Sequence, residues 1–178
     1  MDELPTGSRL TVITRIVHAG GMSKPELLVE FQKRGIELNE AARTLFAHDG
    51  FTTSKTMSLF ATVEISVGDL GYAEGAAMAQ IHERAVELGL ALCPLELGPH
   101  FRLQFLQQTE SDGGGSPSQH RAPPGSITVA SRQLTEDDGI PKGFYLRRIN
   151  GVLWLRGYLS GPEHIWSPED RFVFCRPQ

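Results

Sequence analysis

The sequence has few of the residues that build disulfide frameworks or cross membranes. Among 178 residues there are two cysteines, Cys93 and Cys175, which are too few for a disulfide scaffold and are typical of small buried hydrophobic positions. No apolar run approaches the roughly 20 residues that a membrane span needs. The N-terminus, MDELPTGSRL, begins acidic and lacks the apolar segment of a secretory signal. We therefore expect a cytoplasmic protein with no membrane partner.

The sequence also lacks the common motifs of catalysis and cofactor binding. It has no G-x-G-x-x-G or phosphate-loop pattern and no G-x-S-x-G nucleophile turn. His82 opens the phrase HERAV, but Val86 stands where a zinc-protease helix needs its second histidine. The six histidines have no metal-ligand spacing. The sequence thus identifies no catalytic residue, cofactor or metal, and favours a non-enzymatic protein over an enzyme.

Charge is spread unevenly along the chain. The net charge is −4, but residues 140–178 hold six Lys and Arg against three Asp and Glu, whereas residues 51–139 hold five against eleven. An acidic chain is a poor non-specific binder of nucleic acid, because neutralisation of phosphates supplies most of that affinity. The local positive excess near the C-terminus is compatible with a smaller anionic partner.

A β-hairpin centred on Asn150-Gly151 is the strongest structural signal. Asn and Gly adopt the positive φ angles of a type I′ turn at low cost, and aromatic and branched residues flank them. A two-residue turn fixes the cross-strand pairs as 149 with 152, 148 with 153, 147 with 154, 146 with 155 and 145 with 156. One face then points to the core, with Arg148 near the tip and with the apolar residues Phe144, Leu146, Leu153, Leu155 and Leu159.

The opposite face of the hairpin combines aromatic side chains with arginines. Cross-strand pairing places Arg147 opposite Trp154 and Arg156 opposite Tyr145, so two cation–π contacts are expected, each worth about 0.5–1 kcal/mol when exposed. Tyr, Trp and Arg are also enriched in binding hot spots. The predicted binding residues are Tyr145, Arg147, Trp154, Arg156, Tyr158 and, from the last strand, Arg171. A structural role for this face, stiffening it or packing under other elements, is the alternative.

The first part of the chain predicts a strand and a helical hairpin. Residues 9–18 are β-branched and roughly alternating. Ser23 followed by Glu26 has the form of a capping box and begins one helix, and Asn39 is placed to cap a second.

The middle of the chain predicts a β-α-β unit. Alternation from Leu59 to Val67 indicates a half-buried strand, and apolar residues at helical spacing indicate a helix over 75–88. The phrases at 90–97 and 100–106 are expected to be extended, with Phe101, Leu103 and Phe105 on one side.

We therefore predict an α+β fold: a mixed, largely antiparallel sheet with one β-α-β unit and the helical hairpin packed against it. The chain reads as a single domain. Its expected parts are the N-terminal strand and helical hairpin (1–56), the β-α-β unit (57–106), a flexible Gly/Pro/Ser loop (107–125) and a C-terminal β-meander (126–178).

The functional expectation is a binding module that engages a protein through the Arg/aromatic face, or else a small anionic molecule. An enzyme of unrecognised type is the first alternative, with a site near the β-α-β turn that uses Glu64, Asp69 or His82. Cys93 and His100 form a weaker nucleophile–base candidate. A nucleic-acid binder that stacks bases on the hairpin aromatics is a further alternative. The stretches 87–105 and 166–174 resemble bacterial proteins, a likeness that implies a bacterial origin and no particular activity.

Overall fold

The computed structural model describes residues 10–111 and 123–178. It contains four helices and nine strands in these residues, in the order β1 (Ile13–Ala19), α1 (Lys24–Lys33), β2 (Glu37–Leu38), α2 (Glu40–Ala47), β3 (Ser58–Ser66), β4 (Ala76–Ala77), α3 (Met78–Glu87), α4 (Leu97–Gln104), β5 (Ile127–Val129), β6 (Gly143–Ile149), β7 (Val152–Tyr158), β8 (Ile165–Trp166) and β9 (Arg171–Cys175).

Seven strands form one mixed sheet in the order β1-β3-β9-β5-β6-β7-β2. Its pairs are antiparallel except for β5 with β9 and β2 with β7. Strands β4 and β8 form a separate antiparallel pair. The predicted α+β class is confirmed. β5, β6 and β7 follow one another as a meander, but β9 lies between β3 and β5, in the interior of the sheet, instead of extending the meander at its edge.

Both faces of the sheet are covered near its centre. The first face carries Val173 and Leu146 and packs against side chains of α1, α2 and α4, such as Leu27, Leu45 and Phe101. The second face carries Phe172 and Phe174, which pack with Ile81 and Ala85 of α3 and with Trp166 of β8. Side chains alternate along a strand, so each central strand contributes to two separate cores.

The two N-terminal helices begin where their caps predict. Ser23 Oγ accepts from the Glu26 backbone N–H at 3.3 Å, and the Glu26 carboxylate accepts from the Ser23 N–H at 2.7 Å. Asn39 Oδ1 accepts from the Ala42 N–H at 2.9 Å. The connection between the helices is itself structured, because β2 pairs with β7 and ends the sheet on that side.

The predicted strand at 100–106 is wrong: residues Leu97–Gln104 form helix α4. The alternation of Phe101, Leu103 and Phe105 misled the prediction because α4 is buried almost all round, which removes the helical polar face. Even Arg102 is 0% exposed, and it donates to the Gln108 side chain and to the Trp154 and Phe105 carbonyls.

The expected strand at 90–97, the second of the β-α-β unit, does not form. After α3, the chain joins the sheet only through bridges from Ala91 to Cys175 and from Cys93 to Ser131.

The predicted loop at 107–125 falls partly outside the described residues, which omit 112–122. Its ends are anchored. Gln108 is buried and its Nε2 donates to the carbonyls of Gly125 and Leu146 at 3.0 and 2.9 Å. No helix within 10–111 and 123–178 is long and apolar enough to cross a bilayer.

Candidate functional site: the Arg/aromatic face of the hairpin

The hairpin forms as predicted. Asn150 and Gly151 have φ angles of 50° and 78°, the positive values that a type I′ turn requires. The observed register pairs Ile149 with Val152 and continues to Gly143 with Tyr158, and it includes every predicted cross-strand pair.

The core-facing side of the hairpin is confirmed apart from its last residue. Phe144, Leu146 and Leu155 are fully buried. Arg148 reaches the surface near the tip, where its Nε lies 3.4 Å from a carboxylate oxygen of Glu110. Leu159 is 59% exposed, because β7 ends one residue earlier.

The Arg/aromatic face (Tyr145, Arg147, Trp154, Arg156 and Tyr158) is half-buried at all five positions. Arg156 organises it. Its guanidinium carbon lies 5.1 Å from the Trp154 ring centroid and 5.9 Å from that of Tyr145. Its Nε donates to the Tyr145 hydroxyl at 2.8 Å. The predicted contact between Arg156 and Tyr145 is confirmed.

The predicted stacking of Arg147 on Trp154 is replaced by Arg156 on Trp154. Trp154 and Arg156 are two residues apart on β7, so they share a face and their long side chains meet along the strand. The Arg147 Nε is buried and has no hydrogen-bond partner among the described residues.

Two arginines of this face carry charge that no carboxylate balances. Of the five arginines on the sheet strands, Arg15 and Arg171 pair with Glu64, and Arg148 pairs with Glu110. In the part of the chain that the structure describes, no Asp or Glu pairs with Arg147 or Arg156. A carboxylate supplied from outside could therefore pair with either guanidinium.

Aromatic rings continue from this face across the sheet. Tyr158 lies 6.5 Å from Tyr145 and 5.6 Å from Trp166, measured between ring centroids, and Trp166 lies 5.0 Å from Phe172. Burial raises the pKa of the Tyr158 phenol, so it is protonated at neutral pH. Sequence reasoning missed Trp166, whose aromatic character was its one signal. Its ring packs against Tyr158 and so covers that end of the face.

Arg171 does not belong to the Arg/aromatic face, contrary to the prediction. Thr128 pairs with Tyr145 and with Phe172, which places those three on the second face. Arg171 and its partner Ile127 each come one residue before Phe172 and Thr128. Because side chains alternate along a strand, Arg171 therefore points to the first face. Its Nε donates to Glu64 at 2.6 Å.

Glu64 is part of an ion-pair triad with Arg15 and Arg171. The carboxylate is 3% exposed, and Arg15 and Arg171 each approach one of its oxygens to 2.6 Å. The Arg15 guanidinium also lies 4.4 Å from the Phe105 ring centroid. Both arginines are thus fully engaged, so this cluster joins β1, β3 and β9.

The three residues of the enzyme alternative are not brought together. Glu64 pairs with Val173 on the first face, whereas His82 packs edge-on to Phe174 on the second. Asp69 lies in the turn after β3, where its backbone N–H donates to Ser66 Oγ at 3.0 Å. The His82 Nε2 is buried, and burial lowers the pKa of His82 to about 4.

Cys93 and His100, the nucleophile–base candidate, each contact other residues. Cys93 Sγ contacts Cys175 Sγ at 3.0 Å, and burial raises the pKa of the Cys93 thiol. His100 Nε2 accepts from the Gly20 N–H at 3.1 Å and is therefore not available as a base. Residues 10–111 and 123–178 contain no cluster of three His, Cys, Asp or Glu side chains that could hold a metal.

Comparison with known proteins finds no relative with which this surface can be compared. No protein-family model matches the chain, and no curated protein and no solved structure shows significant similarity to it.

Proposed function

We propose that this chain is a non-enzymatic binding module whose Arg/aromatic face engages an acidic segment of a protein partner. The observation that carries the proposal is the absence, among the described residues, of any carboxylate that pairs with Arg147 or Arg156. A partner carboxylate would supply the missing counter-charge.

The geometry of Arg156 favours such a ligand. The rings of Trp154 and Tyr145 both lie close to the guanidinium, and the bond from Nε to the Tyr145 hydroxyl leaves the terminal nitrogens for a ligand. A guanidinium fork binds a carboxylate through two parallel hydrogen bonds, and fixing the fork in advance reduces the entropy lost on binding. The aromatic rings add the contact area that is typical of hot spots.

Charge also favours a protein over nucleic acid. Nucleic-acid affinity depends on many neutralised phosphates, whereas this face offers two unpaired arginines on a chain of net charge −4. An acidic peptide segment needs only a few carboxylates opposite a small basic surface, which matches the size of the face.

The test is affinity capture with three immobilised forms of the protein: wild type, Arg147→Glu/Arg156→Glu, and Arg43→Glu/Arg176→Glu as the control. Arg43 and Arg176 are exposed and do not belong to the Arg/aromatic face: Arg43 is on α2, which packs on the first face of the sheet, and Arg176 follows β9. The control therefore makes the same change in net charge outside the proposed binding face. Circular dichroism first establishes that all three are folded.

We expect wild type and the control to retain the same protein, and the hairpin variant to lose it. A synthetic peptide from the partner's acidic segment should then bind wild type and fail to bind the hairpin variant. Equal capture by all three forms would contradict the proposal. If none captures a protein, and citrate raises the Tm of wild type but not of the hairpin variant, the ligand is a small anion instead.

A further inference from the structure

A cavity lies beside the Arg/aromatic face, between α3, the segment 131–142 and the turn at 160–162. It has a volume of about 540 Å³, within the range of small-molecule sites. Met78, Leu92 and Pro162 provide apolar walls, and Tyr158 forms the side next to the hairpin. Tyr158 and Ser160 also line a smaller cavity of about 140 Å³, next to Trp166.

Two buried polar atoms on this cavity's lining residues have no partner. Ser131 is 3% exposed, and its Oγ makes no hydrogen bond to any described residue. The Nε2 of His82 is likewise buried and unpaired. The great majority of buried side-chain polar atoms are hydrogen-bonded, so two such atoms beside one cavity are a departure that a bound molecule would resolve.

Gly143 lies close to the hydroxyl groups of two residues that line the cavity. A methyl group added to Gly143 would lie 3.1 Å from Ser131 Oγ and 3.3 Å from the Tyr158 hydroxyl oxygen, closer than side-chain carbons normally approach. Gly143 pairs directly with Tyr158 across the hairpin. The absence of a side chain at Gly143 therefore lets the two hydroxyls approach the same point of the backbone without being crowded.

Three charged residues of the cavity, Arg132, Glu136 and Asp138, are exposed and lie at its rim. Lys142 is buried, and its ammonium is neutralised by Asp138 at 2.9 Å. His82 and Tyr158 are uncharged at neutral pH, because burial lowers the pKa of His82 to about 4 and raises that of Tyr158. A charge of either sign is therefore disfavoured at the inner end.

We propose that this cavity binds a small uncharged ring compound that carries a carbonyl or hydroxyl group. Its polar group would bond the hydroxyls of Ser131 and Tyr158, and its ring would pack on Met78 and Leu92. The cavity shares Tyr158 with the Arg/aromatic face, but Arg147 and Arg156 do not line it.

Benzamide, a neutral ring with an amide group, is the test compound, and benzoate and benzylamine are charged compounds of the same size. Binding is followed by ¹H–¹⁵N correlation spectra of the whole protein. A ligand of this size is expected to bind with Kd on the order of 1 mM. We expect saturable shifts at the amides of Ser131 and Gly143, with benzoate and benzylamine at least tenfold weaker.

Two variants test the contacts. Ser131→Ala removes an unpaired hydroxyl and should weaken benzamide binding at least fivefold. Gly143→Ala places a methyl group against both hydroxyls and should weaken benzamide binding similarly.

Arg147→Glu/Arg156→Glu is the control. It should leave benzamide binding unchanged, which distinguishes this site from the proposed function. The proposal fails if benzamide gives no saturable shift at a concentration about tenfold above its expected Kd. It also fails if all three compounds bind with equal affinity, or if neither Ser131→Ala nor Gly143→Ala weakens benzamide binding.

Discussion

Cys93 and Cys175 are separated by 82 residues in sequence, yet their sulfur atoms lie 3.0 Å apart. Both residues are 3% exposed, so the contact lies in the core where the chain after α3 meets β9.

This contact predicts an intramolecular disulfide under oxidation. Diamide would take two electrons and two protons from the two thiols as the S–S bond forms, and becomes the corresponding hydrazine. The intact mass should fall by two hydrogen atoms, and no cysteine should then be alkylated after unfolding. Cys175→Ala should abolish the change. Two alkylatable thiols in oxidised wild type would contradict the contact.

The Glu64 triad predicts a stability loss from a conservative change. Glu64→Gln removes the charge that Arg15 and Arg171 share, and leaving buried charges unpaired costs about 2–3 kcal/mol in the free energy of unfolding, reduced because both arginines are partly exposed. Urea denaturation measures this loss. Glu30→Gln is the matched control: its pairs with Lys33 and Arg34 are at the surface, so the loss there should be below about 0.5 kcal/mol.

His82 predicts a pH dependence of stability. Its pKa is lowered from 6.5 to about 4 by burial, so between these values the unfolded chain binds a proton that the folded chain does not. The free energy of unfolding should therefore fall as the pH drops from 7 to 5, by about 2 kcal/mol from this residue. Burial also lowers the pKa of His100, so this residue makes stability change with pH in the same direction.

Urea denaturation of wild type and His82→Phe at both pH values isolates the contribution of His82. The variant should lose less stability than wild type over this interval. Equal losses in the two proteins would show that His82 is solvated and titrates normally.

Replacing Asn39 should lower the free energy of unfolding more than the loss of an ordinary helix cap does. It caps α2, and it also exchanges two hydrogen bonds with Gly157 of β7, at 2.8 and 3.0 Å. Asn39→Ala should lower the free energy of unfolding by about 2–3 kcal/mol, against about 1 kcal/mol for Ser23→Ala, which affects only the cap of α1. Thermal or urea unfolding compares the two variants. Equal losses would mean that the bonds to Gly157 contribute little.

Local chemistry made much of the fold predictable. Asn150-Gly151 determines the hairpin turn and, through it, the register of all seven pairs. Ser23 and Asn39 mark helix starts because their side chains bond the first free N–H groups. These features depend on residues close in sequence, and the structure confirms them.

The features that sequence could not show depend on distant packing. The alternation around Phe101 fits a strand or a helix buried on all sides, and only the surroundings of α4 distinguish them. The face on which Arg171 lies follows from β9 pairing with β5, a parallel contact between distant segments. The packing of Trp166 on Tyr158 also depends on distant segments, because Trp166 belongs to the separate β4–β8 strand pair.

The central claim is that Arg147 and Arg156 bind carboxylates of a protein partner, and a charge-swap experiment tests it most directly. A fluorescent peptide from the captured partner's acidic segment is made with its native Glu and Asp, and again with Lys at those positions. Fluorescence anisotropy gives the Kd of each peptide for wild type and for Arg147→Glu/Arg156→Glu. We expect the hairpin variant to bind the native peptide at least tenfold more weakly than wild type, and the Lys peptide at least tenfold more tightly than wild type does. Equal Kd values for wild type and variant with both peptides would show that these two arginines do not contact the partner.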